Sequence, residues 1–196
     1  FVYTQPMVGL PQGDSPFILN ASYTFTADIE VPQGGAEGMI VTSGGRFAGY
    51  GFYLLKGKPV FLWNLIDLER VRWEAPEALT PGRHTVEFDF KYDGLGFGTV
   101  AFGSMSGVGQ GGTGTLKVDG KAVQTQQMKK TLPVILQWDE SFDIGSDTLT
   151  GVNDADYKPP FALTAKLNKL TIKLDRPQLS KADIAKLEAA MRAAKD

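Results

Sequence analysis

Apolar and polar residues alternate with a period of two over much of this sequence, and that pattern constrains the fold most. SYTFTADIEV (22–31) and RHTVEFDFKY (83–92) place an apolar side chain at every second position. Successive side chains of a β-strand point to opposite faces of the sheet, so this period predicts strands with one buried face. Similar short runs are GMIVTSG, YGFYLL, KPVFLWNL, ERVRWEA, GTLKV and PFALTAKLNKLTIKL.

Turn signals separate these runs and indicate how they connect. Lys56-Gly57-Lys58 predicts one hairpin and Asp119-Gly120 a second, since Asp-Gly favours a tight two-residue turn. The phase of the last run shifts at Asn168-Lys169, which predicts a β-bulge. Many short strands without intervening helices predict an all-β antiparallel sandwich of the jelly-roll type.

The C-terminal residues follow a different pattern. Ser180 and Asp183 have the spacing of a capping box, and Ile184, Leu187 and Met191 recur at helical spacing. We therefore expect a β-sandwich domain over 1–176 and a short amphipathic helical tail over 177–196.

Composition excludes several classes of function. The net charge of −2 offers no basic surface for nucleic acid, and no apolar run is long enough to cross a membrane. The chain has no cysteine, so it carries no thiolate chemistry and no redox signature of its compartment. His84 is the only histidine, and we interpret it as a residue at the start of a strand. Composition does not fix the compartment, and our expectation is a periplasmic or secreted location.

The segment 94–114 contains nine glycines. Glycine loses more conformational entropy on ordering than any other residue, so we expect a long flexible loop between strands.

Two kinds of ligand or substrate chemistry need weighing. Glu87, Asp89 and Lys91 share one face of a predicted strand, where two carboxylates could serve a glycoside hydrolase, although a solvated sheet face is the simpler explanation. Exposed aromatic rings could bind sugars, and Trp63 and Trp73 are the candidates if they are not part of the core.

FDIGSDTLTGVNDADY (142–157) carries four aspartates. Asp143, Asp147 and Asp154 could hold Ca²⁺ together with nearby carbonyls, but the EF-hand spacing is not met. Asp, Asn and Gly are also the residues of a hydrogen-bonded loop, and both interpretations stay open.

Long stretches, above all TADIEVPQGGAEGMIV, GGRFAGYGFYLLKGKPV and FDIGSDT, resemble the C-terminal region of bacterial arylsulfatases. The resemblance covers about 10–174 and implies a concanavalin A-like β-sandwich that follows a catalytic α/β domain. The family's C/S-x-P-x-R motif is absent from this chain, so the resemblance implies no sulfatase catalysis by these residues alone.

The resemblance implies an accessory domain that packs on a sulfatase catalytic domain, in the same precursor or on a separate chain, and helps shape its substrate cleft. We expect Arg46, held between glycine turns, and the aspartate segment to form that interface. The alternative is a free-standing concanavalin A-like module that binds a glycan.

Overall fold

The computed structural model describes residues 1–94, 109–131, 140–175 and 180–193. The regular elements in these ranges are twelve strands, one helix and a single 3-10 turn at Gln12–Asp14. The strands are β1 (Val2–Tyr3), β2 (Met7–Leu10), β3 (Ser22–Val31), β4 (Gly38–Gly44), β5 (Gly49–Leu55), β6 (Lys58–Leu65), β7 (Glu69–Glu74), β8 (Gly82–Tyr92), β9 (Gly112–Val118), β10 (Lys121–Met128), β11 (Phe142–Ile144) and β12 (Lys166–Asp175); the helix is α1 (Lys181–Ala193).

The strands form two six-stranded sheets. Sheet A has the order β1-β12-β3-β8-β9-β10, and sheet B has the order β2-β11-β4-β5-β6-β7. All pairings between these strands are antiparallel. The predicted antiparallel jelly-roll sandwich with a C-terminal helix is confirmed.

Aromatic rings fill the space between the sheets. Phe61 of β6 stacks on Phe88 of β8 with ring centroids 3.6 Å apart, and Trp73 of β7 meets Phe88 at 4.9 Å in an edge-on arrangement. Phe61, Phe88 and Trp73 are all fully buried. These contacts join sheet A to sheet B through one core.

Two glycines of the 94–114 segment lie in strand β9 and not in a loop. A Cβ on Gly114 would lie 2.6 Å from the Trp73 ring, and one on Gly112 would lie 2.5 Å from the Phe90 ring. The loop prediction is therefore wrong for Gly112 and Gly114, where glycine makes room for core rings. Residues 95–108 lie outside the described part of the chain.

The central strands β4, β5 and β6 of sheet B are buried on both faces, unlike the strands of sheet A. In sheet B, the outward side chains Met39, Tyr53 and Leu62 pack against Val152 and Tyr157. These last two belong to residues 145–163, which we call the covering segment. The segment is tied to β4 by backbone hydrogen bonds from Met39 to Phe161 (3.1 Å) and from Gly145 to Ile40 (2.9 Å).

Three hairpin turns have positive φ at both central residues, as a type I′ turn requires. The predicted turns at Lys56-Gly57 and Asp119-Gly120 are confirmed, with φ of 51° and 79° in the first and 50° and 79° in the second. The β6–β7 turn places Ile66 at 45° and Asp67 at 60°. A β-branched residue rarely adopts this conformation, so the third turn is strained.

Other local predictions can be compared directly. The register of β12 against β3 shifts between Leu167 and Lys169, which confirms the predicted bulge. Helix α1 confirms the predicted helix, and the Ile184 amide donates to the Ser180 carbonyl at 3.0 Å. The side chains of Leu187 and Met191, which belong to the predicted apolar face of this helix, lie outside the described part of the structure. In the described ranges, no helix is long and apolar enough to span a membrane.

Candidate functional site

Asp143 is a buried structural anchor of the covering segment. Its Oδ1 accepts hydrogen bonds from the Gly9 amide (2.7 Å) and the Ser141 hydroxyl (2.8 Å). Its Oδ2 accepts from the amide (3.1 Å) and the hydroxyl (2.5 Å) of Thr148. Four protein donors thus satisfy this carboxylate and tie β2 and the covering segment to β11.

Asp147 and Tyr157 form a second buried pair inside the covering segment. The Tyr157 hydroxyl donates to Asp147 Oδ2 at 2.5 Å and accepts a hydrogen bond from the Val152 amide at 3.1 Å. Burial raises the pKa of Asp147 to about 6, and the nearby charges of Glu140 and Asp143 add to that increase, while the Tyr157 hydrogen bond opposes it. The carboxyl group therefore changes charge within a mildly acidic pH range.

Asp156 fastens the segment to the edge of sheet B. It accepts hydrogen bonds from the Tyr53 hydroxyl and from Arg72 Nη1. Arg72 also pairs with Glu74 at 2.9 Å. The pKa of Tyr53 is raised, chiefly by burial and then by Asp156, which keeps this hydroxyl protonated and donating.

The proposed calcium ligands Asp143, Asp147 and Asp154 do not form one site. Asp143 and Asp147 accept hydrogen bonds from protein donors, and Asp154 pairs with Arg46. Across the ranges that the structure describes, no group of three or more His, Cys, Asp or Glu side chains is arranged to hold a metal ion. The geometry fits the alternative interpretation of a hydrogen-bonded loop.

Arg46 and the aspartate segment, both predicted to lie at an interface, do meet at one end of the sandwich. Arg46 Nε lies 2.6 Å from Asp154 Oδ2, and about half of each side chain is exposed. The Arg46 amide donates to the Thr150 hydroxyl at 3.0 Å. An exposed ion pair of this kind contributes little to the free energy of folding. It joins the β4–β5 loop to the covering segment.

A buried asparagine positions these loops. Asn64 Nδ2 lies within hydrogen-bonding distance of the carbonyls of Gly45 (3.0 Å), Arg46 (2.6 Å) and Val152 (3.3 Å). Arg70 adds a hydrogen bond from Nε to the Val152 carbonyl at 3.1 Å and an ion pair with Asp67 at 2.7 Å. Neither residue was predicted, because these partners are brought together only by the folded chain.

Apolar side chains project from the two loops beside this ion pair. Phe47, Ile66 and Leu68 are 57%, 54% and 83% exposed. Phe47 follows Arg46 in the β4–β5 loop, and Ile66 and Leu68 flank Asp67 in the β6–β7 turn. We call Arg46, Phe47, Ile66, Leu68 and Asp154 the rim; single exposed apolar residues are ordinary, but three on neighbouring loops suggest a contact surface.

A second concave region lies at the end of sheet A, near the β9–β10 turn. This groove has a volume of about 490 Å³. Its polar lining comes from β3, β8, the β9–β10 turn and the bulge of β12, and consists of Asp28, Arg83, His84, Thr85, Asp119 and Asn168. Donor and acceptor groups from four separate elements therefore converge on one open space.

Hydrogen bonds organise the floor of this groove. His84 Nδ1 lies 2.8 Å from Asp119 Oδ2, and His84 Nε2 lies 2.8 Å from the Thr80 carbonyl. Asp119 Oδ1 accepts from the Thr85 amide at 2.8 Å, and the Thr85 hydroxyl donates to Asp28 at 3.0 Å. His84 begins a strand as predicted and in addition helps to fix the Asp119 carboxylate.

The aromatic candidates are core residues. Trp63 and Trp73 are both fully buried, so the prediction that either presents a ring to a ligand is corrected. The Trp63 ring stacks on Tyr50 and the Trp73 ring meets Phe61 and Phe88 edge-on inside the sandwich, where such large side chains bury much apolar area.

The carboxylates considered for catalysis lie on the outer face of sheet A. Glu87 pairs with Lys117 at 2.6 Å, and Asp89 accepts a hydrogen bond from Thr24 at 2.9 Å. Lys91 is exposed on the same strand. These cross-strand partners fit the solvated sheet face that was the simpler explanation.

Comparison with protein-family models gives no match, and comparison with curated proteins gives none. Similar solved structures include the CBM40 domain of the Ruminococcus gnavus IT-sialidase bound to alpha2,6 sialyllactose, at 12% identity and a TM-score of 0.55, covering 95% of this chain and 97% of that one. The same domain bound to alpha2,3 sialyllactose has 10% identity, a TM-score of 0.52 and coverages of 87% and 82%.

Domains LG4-5 of the mouse laminin alpha1 chain are also similar, at 15% identity and a TM-score of 0.54. This match covers 88% of our chain but only 40% of the laminin chain. At such low sequence identities, the structural similarity is evidence for the fold alone. It shows that this chain has the β-sandwich fold of the laminin LG and sialidase CBM40 domains.

Proposed function

We propose that the chain is a non-catalytic carbohydrate-binding module. The observation that carries this proposal is the polar groove of sheet A. Its volume of about 490 Å³ lies within the range of small-ligand sites. The lining combines carboxylate, amide, hydroxyl and guanidinium groups, which together can donate to and accept from the hydroxyls of a sugar.

The structural neighbours support the same class of ligand. The sialidase CBM40 domain was solved with two sialyllactose isomers, and it has nearly the same extent as this chain. The outer face of sheet B does not offer a sugar site at Met39, Tyr53 and Leu62, because the covering segment already packs on these side chains.

A titration followed by ¹⁵N–¹H NMR tests the proposal. A panel of neutral and acidic mono- and disaccharides is added to the labelled chain, and we expect saturable shifts of the Thr85 and Asp119 amides for at least one sugar. Amides at the opposite end, such as that of Arg46, serve as the internal reference. Absence of saturable shifts with every sugar in the panel would reject carbohydrate binding.

The rim favours a second candidate function, that of an accessory domain of an arylsulfatase-like hydrolase. The sequence resemblance motivates this proposal, and the exposed apolar residues Phe47, Ile66 and Leu68 support it, because a docking surface is expected to be apolar at its centre. The Arg46–Asp154 ion pair would then lie at the polar border of the contact.

The partner in this case is a catalytic domain that carries C/S-x-P-x-R, in the same precursor or on a separate chain. The mass of the polypeptide in its source, with the identity of any co-purifying chain, tests the association. We expect Leu68→Asp to weaken the contact and Val8→Asp, at an exposed apolar residue outside both the rim and the aspartate segment, to leave it intact. A native chain of this length without such a partner would reject the second candidate.

A further inference from the structure

We propose that the groove of sheet A selects a singly charged acidic sugar, with Arg83 binding its carboxylate or sulfate and Asn168 binding adjacent hydroxyls. This inference rests on the proposed carbohydrate-binding function and assigns the ligand class and two specificity-determining residues.

Arg83 is available to a ligand. Arg46, Arg70, Arg72 and Arg192 each form an ion pair, whereas within the described ranges no ion pair involves Arg83. Arg83 lies opposite Glu30 in the β3–β8 register, yet the two side chains do not form a salt bridge. A guanidinium group binds a carboxylate or sulfate through two parallel hydrogen bonds, so an exposed, uncommitted one in a groove is suited to an anion.

Asn168 is brought into the groove by the bulge of β12. The register passes from Leu167 to Lys169, and Asn168 therefore has no partner residue in the ladder with β3. A bulge redirects the side chain of the extra residue, here toward the groove. Its amide makes no hydrogen bond to another described residue, and it offers one donor group and one acceptor to neighbouring hydroxyls.

The charges around the groove limit how acidic the ligand can be. Asp28 is paired with Lys169 at 3.2 Å, and Asp119 is held by His84 and the Thr85 amide. The Lys169 charge offsets that of Asp28, and hydrogen bonds satisfy the Asp119 carboxylate, which leaves Arg83 to bind one anionic group. A polyanion would bring further negative charges toward Asp28 and Asp119, so the groove favours a single acidic sugar over a densely charged chain.

Four probes distinguish the parts of this proposal: glucuronate, glucose 6-sulfate, glucose and inorganic sulfate. We expect the two acidic sugars to bind about tenfold more tightly than glucose, as one charge-assisted bidentate contact implies. Inorganic sulfate should bind more weakly than glucose 6-sulfate, because it lacks the hydroxyls for Asn168. Dissociation constants come from the same NMR titration.

Variants then locate the site. Arg83→Gln should remove the preference for acidic sugars. Asn168→Ala should weaken the binding of acidic and neutral sugars alike. Lys91→Gln removes an exposed positive charge from the same strand outside the groove, and it should leave the dissociation constants of all four probes unchanged. Circular dichroism of each variant checks that the fold is retained.

The outcomes separate the inference from the function on which it rests. If no sugar binds the wild-type chain, carbohydrate binding itself fails. If sugars bind but glucose equals glucuronate, or the preference survives Arg83→Gln, the function stands and the assignment of Arg83 is overturned. If inorganic sulfate binds as tightly as glucose 6-sulfate, the groove is an anion site and the sugar specificity is rejected.

Discussion

Asp147 shows how one buried carboxyl group links this fold to pH. Its ordinary pKa is 3.8, whereas burial raises the pKa to about 6 in the folded chain. Between these values the folded state retains a proton that the unfolded state has released. Its contribution to stability is therefore fully present below pH 3.8 and is lost as the pH rises through about 6, by roughly 3 kcal/mol.

We expect Asp147→Asn to remove this dependence, because an amide can still accept the Tyr157 hydrogen bond but does not ionise. The free energy of unfolding in urea is measured at about pH 4 and pH 7 for both proteins, and the variant should gain stability relative to wild type at the higher pH. Asp14→Asn, at an exposed carboxylate, is the matched control. An equal difference at both pH values would contradict the prediction.

At the scale of elements, the β6–β7 turn combines strain with exposure. Ile66 has φ of 45°, a conformation that favours Asn or Gly, and its side chain is largely exposed. The strain lies at the apolar rim, where the Ile66 side chain is exposed. We expect Ile66→Asn to stabilise the isolated chain by about 1 kcal/mol while it weakens any docking through the rim.

Chemical denaturation measures the stability of this variant. Leu68→Asn is the control, since it removes an even more exposed apolar side chain from the same turn at a residue without positive φ. A loss of stability in Ile66→Asn, with no change in Leu68→Asn, would show that the Ile66 side chain contributes packing that outweighs the backbone strain.

Long strands could be predicted from the sequence because alternation is a local signal. Ser22–Val31 and Gly38–Gly44 have the expected bounds, and the bulge at Asn168 follows from a change of phase. The strands Val2–Tyr3, Met7–Leu10 and Phe142–Ile144 were not predicted. They are too short to show a period, and they pair with strands far away in the chain.

The whole molecule depends on the aromatic core that joins the two sheets. Phe61 and Phe88 belong to different sheets and stack at 3.6 Å, so loss of one ring leaves a cavity at the junction. We expect Phe61→Ala to destabilise the protein by about 3–5 kcal/mol. Sheets A and B should still unfold together, with coincident near- and far-ultraviolet circular dichroism transitions.

Phe47→Ala is the matched control, since it removes the same ring from an exposed position and should change stability by about 0.5 kcal/mol or less. Two separate transitions in Phe61→Ala would instead indicate that each sheet is stable by itself.

The candidate sites could be predicted only in part, because they depend on distant residues. Arg46 and the aspartates were singled out from the sequence, but their partners were not: Arg46 meets Asp154 across 108 positions, and His84 meets Asp119 across 35. The covering segment likewise carries no periodic pattern, since Val152 and Tyr157 pack on sheet B from an irregular backbone. These contacts form only when the whole chain folds into its tertiary structure.

The burial of Trp63 and Trp73 also determines what an optical experiment can report. Both indoles are sealed in the core, and Trp73 donates a hydrogen bond to the Gly114 carbonyl at 2.9 Å. The fluorescence of these two residues therefore reports whether the two sheets remain packed together, that is, whether the chain is folded. A saccharide that binds at the surface groove would leave their emission unchanged, so occupancy must be followed through backbone amides or heat.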